Sequence, residues 1–419
     1  MSAVQNRDAG HDDGTPVPTV PLLEPRDGVP EVVTTAAGVA EAAALLAGGH
    51  GPLAVDAERA SGYRYSARAY LVQLRRDGAG TVLLDPIPTR DDLAPLADVI
   101  NDLEWVLHSA DQDLPGLAEL GLRPAALYDT ELAGRLAGFP RVGLAAMVAE
   151  VLGLELRKGH GAADWSTRPL PESWLNYAAL DVEPLVELRD AMARELDRQG
   201  KGEWAAQEFE HVRLAGPPAP KPERWRRTSK IHVIKDQRGL AVVRELWAAR
   251  DEIAARRDIA PGRILPDSAI IAAAEATPTT IEELRALPVF GGPRQRRSSR
   301  VWLSAIERAR ALPKEQLPPL SPPLTGPPPP GKWARHHPEA AARLTAARGE
   351  LATLSEEVSV PVENLVSPEL VRRVCWDWEV HTDADVETYI ERRFVEGGAR
   401  PWQRQLTVPR LTKALTGSE

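Results

Sequence analysis

The sequence predicts two architectures in one chain, an α/β domain built on a mixed sheet and, after it, all-α helical bundles. Up to about residue 214, strand-like runs and amphipathic helical stretches alternate, and three of the strand candidates come in quick succession. A proline-rich break, Gly216-Pro217-Pro218-Ala219-Pro220-Lys221-Pro222, then ends any continuous helix. Beyond it the pattern is almost entirely helical.

Met1 to Val20 is polar and rich in Asp, Gly and Pro, without the charged start, apolar stretch and cleavage site of a signal peptide, so residues 1–27 are expected to be a disordered tail. Strands are predicted at Leu53–Glu58, Tyr70–Leu74 and Thr81–Leu84, the last two joined as a hairpin through Asp77-Gly78-Ala79-Gly80. A helix around Asp91–Leu103, a strand at Trp105–His108 and further helices to about Phe209 complete a first domain over 28–214. A basic linker, 215–236, leads to a helical domain at 237–312, where Leu240, Val243, Leu246, Trp247 and Ala254 form an apolar stripe and Ile264-Leu265-Pro266-Asp267 opens a further helix. The Pro-rich linker 313–335 favours polyproline II, a semi-rigid spacer. In 336–419, Ala346 to Ala352 echo Ala248 to Ala254, and Pro361-x3-Leu365 echoes Pro261-x3-Leu265, which predicts a second bundle of the same kind.

The chain's 419 residues suit about two to four domains, and no apolar run approaches the roughly 20 residues of a membrane span. One cysteine, Cys375, excludes an intramolecular disulfide framework and a multi-cysteine zinc site. A cytoplasmic monomer is the expectation. The formal net charge is −9, which argues against a nucleic-acid partner only on average, because local patches decide binding. Between 221 and 238, Lys221, Arg224, Arg226, Arg227, Lys230, Lys235 and Arg238 face only Glu223 and Asp236. Arg294, Arg296, Arg297 and Arg300 form a second basic cluster.

Asp56 and Glu58 end the apolar run Leu53-Ala54-Val55-Asp56-Ala57-Glu58. Alternation along a strand puts both carboxylates on one face, where the pair can hold a hard divalent cation or simply be solvated. In Ser173-Trp174-Leu175-Asn176-Tyr177-Ala178-Ala179-Leu180-Asp181 the apolar spacing is helical, so Tyr177 and Asp181 are i,i+4 neighbours. Between these motifs, His108-Ser109-Ala110-Asp111-Gln112-Asp113-Leu114 follows a short strand and supplies another acid, Asp113 or Asp111.

Taken in order, the set resembles the DEDD exonuclease superfamily, and in detail ribonuclease D. The matching segments are Asp56-Ala57-Glu58, Asp113-Leu114 and Tyr177-x3-Asp181, with Tyr128-Asp129-Thr130 and Asp164-Trp165-Ser166-Thr167-Arg168-Pro169-Leu170 as further similar text over about 30–312. The resemblance implies a ribonuclease H-like sheet, and Tyr177 places the chain in the DEDDy branch. It further implies that Asp56, Glu58, Asp113 and Asp181 hold two Mg²⁺ or Mn²⁺ ions, with Tyr177 orienting a water. Residues 237–312 resemble the HRDC module, a nucleic-acid-binding helical bundle, and the echo makes 336–419 a second one.

The implied activity is a metal-dependent 3′–5′ exoribonuclease that trims RNA such as tRNA precursors to nucleoside 5′-monophosphates. A DNA-directed exonuclease and a catalytically inactive RNA-binding protein are the alternatives. Arg168, Trp225, Arg226, Arg227 and Lys230 are the expected RNA contacts, Trp225 as a base-stacking platform. Lys158 and His160 could also reach phosphate or lie in a solvated loop, and Asp129 reads as a turn or helix-cap residue. The pattern is broken at two places. Ala57 stands where Thr is common, and Arg59 where an aromatic or aliphatic residue is usual.

Overall fold

The computed structural model describes residues 19–416 except 157–158, 218, 220, 323–325 and 381. Lys158 and residues 1–18 of the expected tail therefore lie outside the described residues. The first domain is organised on a six-stranded sheet whose strands are β2 (Val32–Val33), β3 (His50–Arg59), β4 (Ala69–Asp77), β5 (Gly80–Leu84), β6 (Glu104–Leu107) and β7 (Ala126–Asp129). Its order is β2-β5-β4-β3-β6-β7. β3, β4 and β5 run antiparallel to their neighbours in that trio, while β6, β7 and β2 join in parallel, so the sheet is mixed as expected.

The hairpin forms because Gly78 and Gly80 adopt φ of 80° and 76°, a region open to glycine at little cost. Helices cover both faces. The Glu172–Val182 helix lies across β3, β4 and β5, and its small Ala178 and Ala179 pack on Leu71, Leu83 and Trp165. A larger core joins the opposite face, through Val55, Val72 and Leu74, to the Ala36–Ala47 and Ala94–Ile100 helices.

Residues 20–27 are a correction to the tail. Val20–Leu22 is β1, paired in parallel with β8 (Leu154–Leu156), and Arg26 forms an ion pair with Glu187 at 2.7 Å. Three residues with two prolines nearby gave no readable period. The basic stretch 215–236 is a linker only in part, since its Trp225 and Ile234 are buried in the core of the following helical body.

That body is led by the Gln237–Arg257 helix, capped by the Asp236 side chain accepting from Gly239 N, and includes Asp267–Ala276 and Ser299–Ala311. It docks on the loop after β3. Asp258, at φ 48°, accepts from Ser66 N at 2.9 Å and from the Tyr70 hydroxyl at 3.2 Å; Ala260 N donates to Tyr63 O at 2.9 Å, and the Arg263 guanidinium lies 4.1 Å from the Tyr63 ring centre.

The last helical body repeats the plan of the first, with helices of 21, 4 and 9 residues at Pro338–Val358, Val362–Leu365 and Pro368–Trp376 against 21, 4 and 10 at Gln237–Arg257, Pro261–Ile264 and Asp267–Ala276. It packs on the α/β domain through Trp402, stacked on Trp204 at 5.1 Å. Glu208 accepts from Trp402 Nε1 at 2.8 Å and from Arg400 Nε at 2.6 Å. Trp402 is 1% exposed, so Trp402→Ala should cost about 3–5 kcal/mol through lost burial and the cavity left behind. Urea unfolding measures this, and an unchanged midpoint would mean that the contact does not stabilise the chain.

Candidate metal centre

β3 brings the first two acids to the site. Asp56 pairs across the sheet with Gln73 and Glu58 with Leu71, so both carboxylates stand on the face beneath the Glu172–Val182 helix. From that helix Asp181 descends beside them, and oxygens of Asp56, Glu58 and Asp181 all lie within 4.8 Å of one another. Tyr177, one turn earlier on the same helix, sets its hydroxyl beside Asp181. Its ring is seated against backbone at Gly159, where an added Cβ would stand 2.4 Å from Cδ2; this glycine was not singled out by the sequence motifs. The cleft beside these groups has a volume of about 430 Å³ and is lined by Asp56, His108, Gly159, Tyr177 and Asp181 among others.

Asp113 approaches from a third direction. Ser109, at φ 64°, turns the chain out of β6 into a short 3₁₀ turn, Ala110–Gln112. Asp129 holds that turn in place. Its carboxylate accepts from Ser109 N and Ala110 N at 3.2 and 2.8 Å, and caps the next helix by accepting from Glu131 N at 2.9 Å and Leu132 N at 3.1 Å. Asp113 is thereby buried, while Asp111 is exposed. Asp113 is not part of the 4.8 Å group; its Oδ1 lies 4.0 Å from Arg59 Nε, and its charge still acts on Glu58.

Crowding has a clear electrostatic signature. Burial, then repulsion by Asp56, Asp181 and Asp113, pushes Glu58 up to about 9, and burial raises Asp56 to about 6. Burial followed by the Asp56 charge holds Asp113 and Asp181 well above the usual carboxylate range. Burial, then the charges of Asp181 and Glu58, raises Tyr177, which keeps its proton at neutral pH. Burial lowers His108 to about 4, so it is a neutral imidazole whose Nδ1 is 2.9 Å from Thr130 Oγ1. An all-oxygen donor set that cannot carry all its charges alone fits a hard divalent cation.

Residues 30–197 match the family described as 3′–5′ exonuclease, 239–306 the HRDC domain and 326–415 the 3′ to 5′ exonuclease C-terminal domain. A ribonuclease D of Gluconacetobacter diazotrophicus is 34% identical over 272 residues, which cover 64% of this chain and 68% of that protein. This chain belongs to the ribonuclease D family. Its activity is accordingly that of a 3′–5′ exoribonuclease. A protein from Bifidobacterium adolescentis of known structure is 39% identical with a TM-score of 0.86, covering 95% of this chain and 99% of that one. Escherichia coli RNase D, at 24% identity and a TM-score of 0.66, covers 93% and 99% respectively and shares the fold. The segment expected as a second HRDC-like bundle thus matches the exonuclease C-terminal domain, not the HRDC domain.

For this ribonuclease D relative, three of the expected RNA contacts need correction. Arg168 points inward, with Nε 2.5 Å and Nη2 2.9 Å from the two Asp85 oxygens, and its Nη1 and Nη2 also donate to the carbonyls of Trp165 and Tyr70, each at 2.7 Å. It clamps the loop before the Tyr177 helix to the sheet. Trp225 is buried, with the Arg226 guanidinium 4.2 Å from its ring centre, so it is a core anchor and no open stacking surface. Arg226 is itself paired to Glu223 at 2.8 Å. Arg227 and Lys230 are exposed. His160 packs edge-on against Tyr177, ring centres 5.8 Å apart.

Because the free cluster retains protons that a bound cation must displace, metal affinity should rise with pH until Glu58 ionises near 9. Calorimetric titration with Mn²⁺ in buffers of different ionisation enthalpy should register proton release near neutrality that falls at higher pH. An affinity flat between pH 6 and 8 would remove the carboxylate crowding from the account.

Proposed function

We propose that this chain hydrolyses RNA from the 3′ end to nucleoside 5′-monophosphates by a two-metal-ion mechanism, with Mg²⁺ or Mn²⁺, in the maturation of tRNA or other structured RNA. The observation that carries the reading is the convergence of Asp56, Glu58 and Asp181 within 4.8 Å, with Tyr177 on the same helical face as Asp181. Asp113, on the neighbouring turn, is assigned as the fourth ligand. Asp56, Glu58, Asp113 and Asp181 would hold divalent cations, which would supply positive charge for the attacking and leaving oxygens and activate a water.

Tyr177 does a different task. A phenol whose pKa is raised is a hydrogen-bond donor and acceptor, not a base, so its hydroxyl, beside Asp181, orients the attacking water at the terminal phosphate. The His160 ring, itself packed against Trp174, stands edge-on to Tyr177 and restrains it. Exposed Arg227 and Lys230 on the HRDC side are assigned to the upstream RNA backbone, at which each phosphate contact contributes through counterion release. Structured RNA is the substrate class named for the Escherichia coli protein.

Asp181→Asn keeps the shape but removes a ligand charge, so turnover should be lost while the fold is retained. Tyr177→Phe should slow single-turnover cleavage by about 10²-fold with little change in metal affinity. Matched RNA and DNA oligonucleotides, each with Mg²⁺, Mn²⁺ or EDTA, decide the substrate. Full activity of Asp181→Asn with Mn²⁺ would sink the metal assignment, and faster cleavage of DNA would replace the RNA reading.

A further inference from the structure

Arg59 sits where an aromatic or aliphatic residue is usual in this motif. It directly follows Glu58, just beyond a register shift in the β3–β4 ladder, and the side chain reaches across to the acidic cluster. Its Nε lies 4.0 Å from Asp113 Oδ1 and its Nη2 3.5 Å from Gln112 Oε1. Both contacts are at the long limit of their kind, and the side chain is 30% exposed. Elsewhere in the first domain arginines that serve structure are held far more tightly, as Arg168 is by Asp85 at 2.5 Å or Arg189 by Glu104 at 2.9 Å. Arg59 is a loosely held, partly exposed guanidinium beside the acidic cluster.

Its charge stands at the edge of the acidic cluster, directly after Glu58 in the chain and 4.0 Å from Asp113. A fixed cation that stabilises these carboxylates in the free protein necessarily competes with a divalent ion for them. The same guanidinium, once Asp113 turns to a metal ion, has lost its acidic partner and faces the substrate side with its donors unfilled. Planar guanidinium and phosphate are well matched for bidentate hydrogen bonding.

We propose that Arg59 is an exchangeable counter-cation of the acidic cluster: it stands against Asp113 when metal is absent and transfers to a phosphate near the RNA 3′ end when metal is bound. The inference rests on the metal-centre reading above and adds a substrate contact and a coupling to it. It makes predictions of opposite sign for two ligands of one protein, which a purely structural arginine would not produce.

The test uses the full chain as wild type, Arg59→Leu, which restores an aliphatic side chain, and Arg59→Lys, which keeps the charge. Mn²⁺ affinity is measured by calorimetry without RNA. RNA affinity is measured with Mn²⁺ present on a single-stranded oligoribonucleotide whose last linkage is a non-hydrolysable phosphonate. For Arg59→Leu, Mn²⁺ should bind on the order of threefold to tenfold tighter, because a nearby positive charge is gone. RNA should bind about tenfold weaker, with the slope of log affinity against log salt reduced by about 0.7. Arg59→Lys should fall between wild type and Arg59→Leu in both measurements. If Arg59→Leu leaves Mn²⁺ affinity unchanged or weakens it, Arg59 is no competitor; if RNA affinity and slope are unchanged, it touches no phosphate. Either result overturns the proposal. Mn²⁺ binding equally to wild type and Asp181→Asn would instead refute the metal centre itself, and the Arg59 proposal with it.

Discussion

Crowding of carboxylates brought in by three separate segments is the constraint around which the α/β domain is built. Asp56, Glu58, Asp113 and Asp181 would separate if the chain were free to relax, and each is held by an element anchored elsewhere. β3 is a central strand, and at Asp56 and Glu58 it is laddered to Gln73 and Leu71 of β4, so the two acids cannot swing apart without breaking ladder bonds. Ala178 and Ala179 seat the Asp181 helix close on the sheet, and two hydrogen bonds from Ser109 N and Ala110 N to Asp129 fix the turn that carries Asp113. The surroundings therefore over-determine a geometry that the site alone disfavours, the usual condition for storing electrostatic strain at a functional centre.

The HRDC body takes part in this restraint. It grips Tyr63, Ser66 and Tyr70, which flank the loop between β3 and β4, immediately after Glu58 and Arg59. A loop between two strands at a cleft mouth is ordinarily among the more mobile parts of a fold. Here a left-handed cap residue, Asp258, doubles as the docking group, so the end of the first HRDC helix and the rim of the metal centre are mechanically one piece. The final bundle does the same for the opposite side of the domain, where buried Lys201 donates to Leu136 O at 2.7 Å and reaches Ser359 O at 3.4 Å.

How much of this was legible depends on the range of the interaction. Alternation along β3 and the i,i+4 step from Tyr177 to Asp181 are local rules, and the hairpin, the first two acids and the last pair follow from them. Strands β1, β2, β7 and β8 have two to four residues each, too few for a period to emerge, and exist because partners from distant sequence complete them. The arginines were read least well. Charge in sequence says nothing of pairing, so Arg168, held by Asp85 from 83 residues away, and Arg226, turned onto Trp225, looked free. Trp225 failed for a related reason, since a tryptophan in a basic, proline-flanked run carries no signal that a helical core 15 residues on will claim it. Asp113 and Asp111 could be separated only by the resemblance, because the turn that buries one and exposes the other is set by Asp129, a residue of β7.

The acidic centre and its substrate carry charge of the same sign, in a chain whose net charge is already −9. RNA approaching an unneutralised cluster meets repulsion, and the cations that neutralise the cluster are those that the reaction needs. Binding of metal and of RNA must then be linked, each raising the affinity for the other by the same factor. Such linkage makes the empty site a poor RNA binder, which limits unproductive occupation of 3′ ends. Under the proposed function the placement of positive charge follows the same logic: exposed Arg227 and Lys230, on the segment that leads into the HRDC body, would draw the backbone without competing for the carboxylates. Charge at the centre itself has to be exchangeable, and charge at a distance can be permanent.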